Sequence, residues 1–345
     1  MRDFLIHALA FTAGVYVVAD TVLAAIRSFV LPRSDSAWLN TVVFRVVRWV
    51  FEAAARLGRS YQQRDRILAL YAPVGLVMLP IAWLTAVSAG YTAIFWGLGE
   101  GNLERCFRIS NSSLLTLGSE DPSHEVLATA MSYSEATLGL LLLTLLISYL
   151  PTMYQAFSRR ELTVARLELR AGLKASAVQL LLWLHHSGSL PGDGSQWRAW
   201  EEWFVEIEET HTSLPIMAFF RSPQPGRSWI TTADIILDAA ALISSTVDQP
   251  RDAHLELCFK AGCISLNRVA RYFRYEAGAE ESAGETPPSP HHDNFREAYA
   301  RFQAAGISLL PEPAAWAHYQ QLRGRYAGAV AYLTRLIMAP ITAPI

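Results

Sequence analysis

The sequence predicts an all-α membrane protein: three transmembrane helices followed by an all-helical cytoplasmic C-terminal domain. Three observations predict it. Apolar runs at Phe4 to Leu31, Ile67 to Leu98 and Val126 to Phe157 each exceed the roughly 20 residues a helix needs to cross a bilayer. Of 345 residues, 52% are hydrophobic and 17% charged, a richer apolar content than an ordinary soluble domain has. After Ser158, apolar and charged residues alternate at helical spacing, and no useful length of strand-like alternation appears.

The first run, within residues 1–32, is too long for a signal-peptide core and lacks a small-residue cleavage site, so it reads as a retained helix. Asp20 lies deep in it. An acid at that depth is a candidate functional residue, with pairing to a neighbouring helix as its structural explanation. Residues 33–66 form the next segment. Within it Ala37 to Leu57 is amphipathic, with Trp38, Val42, Val46, Trp49, Val50 and Ala53 on one face and Arg45, Arg48, Glu52 and Arg56 mostly on the other. Such a helix suits the inner membrane surface, or equally a packed position on the cytoplasmic domain. Gly58 ends it.

Loop charges set the orientation. Between the first two runs seven arginines face three acids, which makes that segment cytoplasmic. Residues 98–126 have the opposite balance, five acids against two arginines, and belong outside. Arg159, Arg160, Arg166, Arg170 and Lys174 hold the C-terminal portion inside. The topology expected is therefore N-terminus out, three crossings of the plasma (inner) membrane, and C-terminus in the cytoplasm.

Between the second and third runs lies a short polar stretch, Ser113 to Pro122. It is either an ordinary outside loop or a strand of chain that dips back into the membrane. Irregular backbone survives at membrane depth only where protein or water satisfies its peptide groups, and an ion-conducting filter of carbonyl oxygens is the commonest reason for it. The third run carries one charge, Glu135, one turn before Gly139. A carboxyl group there must be protonated, hydrogen-bonded or water-facing.

Thr116-Leu117-Gly118-Ser119-Glu120-Asp121 resembles the Thr-Val-Gly-Tyr-Gly-Asp filter of potassium channels. Thr116 matches the threonine, Leu117 the valine, Gly118 the first glycine and Asp121 the closing aspartate. Ser119 replaces the aromatic residue, and Glu120 replaces a glycine whose backbone shape a side chain resists. The resemblance covers about Ile67 to Phe157, the family's two-helix pore domain of bacterial type. It implies an outer helix over 67–98, a pore helix over 103–115, a filter over 116–121 and an inner helix over 126–157. Asn102 would cap the pore helix, and Phe107, Ile109, Leu114 and Leu115 are too apolar for an exposed loop.

The resemblance implies a homotetrameric cation channel, because one chain supplies only one wall of a pore. Carbonyl oxygens of Thr116, Leu117 and Gly118 would coordinate a monovalent cation, potassium by analogy, as the permeant ion. Glu120 and Asp121 would ring the outer mouth with negative charge. Gly139 and Pro151 are the expected gating hinges, and Glu135 is expected to bond the pore helix or filter backbone from behind. The partners implied are the lipid bilayer and further copies of the chain. The net charge of −2 offers no basic footprint for nucleic acid. Two other readings stand beside this one: a non-conducting membrane sensor or scaffold with a pore-domain fold, and a transporter in which Asp20 and Glu135 line one cavity.

In residues 158–345, helices are expected over Leu162 to His186, continuous with the inner helix, and over Trp197 to His211, Thr232 to Val247, Arg251 to Tyr275, Asn294 to Ala305 and Pro313 to Met338. Trp197, Trp200, Trp203 and Phe204 give the second an apolar side, opposite an acidic face of Glu201, Glu202, Glu206, Glu208 and Glu209. Residues 278–290 have the makeup of a flexible linker. The sequence names no ligand for this domain and no cofactor. Enzyme chemistry is not indicated: His185-His186 and His291-His292-Asp293 are adjacent rather than at ligand spacing, and neither a phosphate-cradling glycine loop nor a nucleophile elbow is present. Cys106, Cys258 and Cys263 are too few for a disulfide framework and read as small buried hydrophobes.

Overall fold

The computed structural model describes residues 2–29, 38–57, 61–172, 175–190, 194–224, 226–273 and 292–340. Gly58, the linker over 278–290 and His291 lie outside them. Among the described residues the secondary structure is helical, and no strand forms beyond a single antiparallel bridge between Val247 and Leu309. Three helices are long and apolar enough to cross a membrane. The chain divides into two compact units, Met1–Gln155 and Ala156–Ile345.

In the first unit α1 (Arg2–Phe29) packs along α4 (Tyr71–Gly97). They are antiparallel: His7 Nδ1 meets the Trp96 carbonyl at 2.8 Å near one end, and Asn40 of α2 (Trp38–Arg56) joins Ser28 to Trp83 near the other. Small residues allow the close crossing, since a Cβ on Gly90 would stand 2.7 Å from the Val18 side chain. The helix expected over 67–98 lies in one apolar span over Gln63–Gly97. Its hydrogen bonding lapses at Leu70, between α3 (Tyr61–Ala69) and α4, because Pro73 has no N–H to offer the Ala69 carbonyl, while Leu70 keeps right-handed helical dihedrals. Pro80, by contrast, stays inside α4.

α2 turns Leu39, Val43, Phe44 and Val47 to the core. Trp38, Val46, Trp49 and Val50 of its expected apolar face remain exposed. α5 (Leu103–Leu114) and α6 (Val126–Ala171) complete the unit. α6 runs 46 residues without interruption through Pro151 and past 157, the continuity expected between the third apolar run and the helix after it.

The second unit takes Ala156 to Ala171 of α6, then α7 (Ala177–His186), α8 (Ser195–Ser213), a 3₁₀ turn (Pro215–Phe219), α9 (Trp229–Thr246), α10 (Ala253–Tyr272), α11 (His292–Ala304), α12 (Glu312–Arg323) and α13 (Ala327–Ile337). Two helices expected as single pieces are each split. Gly172, at φ +78°, closes α6 with its N–H on the Glu168 carbonyl, and a turn at 324–326 separates α12 from α13. α9 is buried on nearly every side and forms the hub, which its Ala239-Ala240-Ala241 run makes possible by letting neighbours approach. One polar cluster crosses this core. Asp238 accepts from Tyr319 at 3.3 Å and also from Arg323 and Tyr326, while Asp234 stands 3.8 Å from Arg323.

Arg160 is another buried charge, 3% exposed. Its guanidinium donates to the Met217 and Phe220 carbonyls, each at 2.7 Å, and to Glu161. His211 lies beside it, its Nδ1–H directed to the Ile207 carbonyl at 2.9 Å and its Nε2 facing Arg160 at 3.5 Å. Burial, and then the Arg160 charge, hold the His211 imidazole well below its ordinary range. Cys258 and Cys263 are buried on α10, and burial pushes the Cys263 thiol up to about 12.

Candidate functional site

The polar stretch between the second and third apolar runs is built on α5. Asn102 starts this helix, its side chain accepting the Arg105 N–H at 2.9 Å. From there α5 runs back alongside α4. Ser110 Oγ donates to the Ser88 carbonyl at 3.1 Å and Asn111 Nδ2 to Ser88 Oγ at 2.9 Å. Ser88 precedes the last residue of α4 by nine positions, so the end of α5 lies about 14 Å back along that helix. α6 closes the other side: Ser132 meets Ser113 at 2.7 Å, and the Leu114 carbonyl abuts Gly139, thirteen residues or about 20 Å into α6.

α5 ends in a tight reversal. The Thr116 N–H bonds the Ser113 carbonyl at 3.0 Å and the Leu117 N–H bonds the Ser112 carbonyl at 2.8 Å, the paired pattern that closes a helix through one left-handed residue. That residue is Thr116, at φ +54°, where a β-branched side chain is strained. Gly118, at φ +63°, follows with open space around it. Next, the N–H groups of Ser119 and Glu120 both point to the buried hydroxyl of Ser112, at 2.9 and 3.0 Å. Ser123 then donates its N–H and Oγ–H to Glu100, just beyond α4. In this way the segment climbs from the level of Ser88 to that of Glu100.

In this segment the donors are engaged and the acceptors are not. Four N–H groups, those of Thr116, Leu117, Ser119 and Glu120, are turned back onto α5. Among the described residues, no hydrogen bond reaches the carbonyl oxygens of Leu115 to Asp121. Leu117 is 65% exposed, and Thr116, Gly118, Ser119 and Asp121 are exposed with it.

The other expected site residues scatter. Glu135 is fully buried, its Oε1 2.6 Å from Ser110 Oγ on α5; its Oε2 has no partner among the described residues. Ser110 has one hydroxyl hydrogen for two oxygens, Glu135 Oε1 and the Ser88 carbonyl. Glu120 does not stand as an open negative charge, since Arg105 and Arg108 of α5 reach it at 3.6 and 3.2 Å. Asp121 has no ion pair among the described residues. Gly139 has a packing reason to be glycine, because a Cβ would collide with the Leu114 carbonyl oxygen. Pro151 is exposed within the unbroken α6, and Asp20 is exposed on α1. Within the single chain Asp20 and Glu135 thus stand in different surroundings, one exposed and one buried.

Sequence reasoning passed over Ser88, Glu100, Ser110 and Ser112, which hold the segment in place. A signal existed: Ser110, Ser112 and Ser113 crowd the end of α5, and serine inside a helix commonly marks side-chain hydrogen bonding. Among the described residues, no group of three His, Cys, Asp or Glu side chains is placed to hold a metal ion. Compared with protein-family models, with curated proteins and with solved structures, the chain matches none.

Proposed function

We propose that the chain is one subunit of a homotetrameric cation channel of the plasma membrane, similar to potassium channels, with its ion path along Thr116 to Asp121. One observation carries the reading: the carbonyl oxygens from Leu115 to Asp121 accept nothing within the chain, while the neighbouring N–H groups are anchored to α5. A row of unsatisfied carbonyls is what a filter offers a cation in place of water. The return of α5 beside α4 supports it too, since in this reading it sinks the segment between two spans with its N–H groups held by protein and its carbonyls left for water or an ion. In this reading α1 and α4 start on opposite faces of the bilayer, the N-terminus lies outside and the second unit is cytoplasmic.

The experiment is cation flux in liposomes containing the purified protein. Wild type conducts, and Gly118→Asp abolishes flux while tetramers still form. Correctly assembled tetramers without flux would refute the proposal. A second reading, a non-conducting sensor or scaffold, is favoured by the arginine pairs that neutralise Glu120. Ordered cations on a four-fold axis at the level of Gly118 would exclude it.

A further inference from the structure

α2 carries a line of four residues along its outward side. At about 100° per residue, Trp38, Arg45, Trp49 and Arg56 all fall within about 20° of one line along the helix. All four are exposed, Trp38 by 74% and Trp49 by 70%. Sequence patterning sets the tryptophans and the arginines mostly on opposite faces. The fold instead turns Leu39, Val43, Phe44 and Val47 to the core and leaves aromatic and cationic side chains interleaved outside. Three arginines against one glutamate give α2 a net charge of +2.

Position decides what this line meets. In a chain that crosses the bilayer on antiparallel α1 and α4, the C-terminal end of α1 and the N-terminal end of α4 leave the membrane on the same side. Two charges bracket the boundary there: Arg27 in the last turn of α1 and Arg66 in the last turn of α3, with no charge on α4 from Tyr71 to Gly97. α2 joins these two levels. Asn40 bonds Ser28, next to Arg27, and the Phe51 ring meets the Tyr71 ring at 6.1 Å, five residues from Arg66. Wherever the headgroup layer lies between them, the line crosses it. At the same heights α4 turns Val77, Met78 and Ile81 outward, each at least 36% exposed, so the adjoining surface is one that acyl chains cover.

We infer that α2 is a binding surface for acidic phospholipids of the membrane the chain crosses, with Arg45 on the headgroup phosphate and Trp38 and Trp49 anchoring the helix at the boundary on either side of it. The chemistry fits. A guanidinium offers paired N–H donors to phosphate oxygens, and indole rings settle between wet headgroups and apolar chains. Charge supplies the preference, since zwitterionic lipids carry no net charge to answer the arginines. Val46 and Val50, exposed beside the line, extend the apolar surface of α4 and favour lipid over an acidic protein as the occupant. The inference rests on the chain crossing a membrane and not on conduction.

The test uses the full-length protein in nanodiscs, with a nitroxide label on Val46→Cys; the native cysteines are buried. Collision with oxygen, which concentrates in lipid, is compared with collision with a water-soluble nickel chelate. Oxygen should dominate. A label reached mainly by nickel puts the line in water, and a label reached by neither puts it under protein; either result overturns the inference. Should the Val46→Cys protein fold poorly, the exposed Ala53→Cys reports in its place. The second readout is tryptophan fluorescence in discs where brominated phosphatidylglycerol replaces brominated phosphatidylcholine. The acidic lipid should quench more, and the excess should vanish when Trp38→Phe and Trp49→Phe are combined. Arg45→Gln should raise the fraction of acidic lipid needed for half the effect about fivefold, the usual scale for one arginine at an anionic surface. Equal quenching by the two lipids overturns the inference even with the label in lipid. No flux is measured, so the result is independent of whether the pore conducts.

Discussion

Gly139→Ala separates packing from hinging at the centre of the proposed pore unit. An ideal Cβ on Gly139 falls inside 3.0 Å of the Leu114 carbonyl oxygen and 3.2 Å from the Leu114 carbonyl carbon. Relief requires α5 and α6 to separate by on the order of 1 Å, which a close-packed interior resists. Overpacking of this kind costs about 1–3 kcal/mol, and at about 2–4 °C per kcal/mol for a unit of this size the unfolding temperature should fall measurably. Because Leu114 immediately precedes the reversal at Thr116, the variant should also reduce cation flux. The obstruction is backbone, so Leu114→Ala, which trims the side chain and leaves the carbonyl, should not rescue it. Thermal unfolding in micelles and liposome flux read the two effects. Unchanged stability with altered flux would refute the packing argument and restore Gly139 as a hinge.

Further outcomes follow from other residues. Thr116→Gly removes a β-branched side chain from left-handed backbone and should stabilise the first unit by roughly 1 kcal/mol in denaturation. Glu135→Gln keeps the shape and can donate to Ser110, so it should assemble like wild type, whereas Glu135→Ala leaves Ser110 facing a void and should cost about 2–4 kcal/mol; equal effects of the two would refute the hydrogen-bonding role. His211 is held neutral in the folded chain, so below its ordinary range near pH 6.5 the unfolded chain binds the extra proton. Stability of the second unit should therefore fall as pH drops below about 6.5, by up to about 1.4 kcal/mol per pH unit, and the slope should flatten in His211→Gln.

The helices were legible wherever apolar periodicity was long and uninterrupted, as in α1, α4 and α6. Breaks were harder, for local and distant reasons. The interruption at Leu70 comes from a missing donor at Pro73, three residues downstream. That between α12 and α13 accompanies a long-range demand, since Arg323 and Tyr326 both turn to Asp238 of α9. Of the candidate segment, the sequence carried the glycine and the acidic end. It did not carry the pairing of Glu120 with Arg105 and Arg108, nor the two N–H bonds to Ser112, because those join residues on different turns of chain that only folding brings together.

The loop from Thr116 to Ser123 is pinned at both ends by its own chain, to Ser112 below and to Glu100 above. A span fastened in this way needs no neighbour to give it shape. In the proposed tetramer each copy would arrive with this loop already formed, so docking would cost little further conformational entropy. The Ser119 and Glu120 amides should then exchange slowly with deuterium even in a single detergent-dispersed copy.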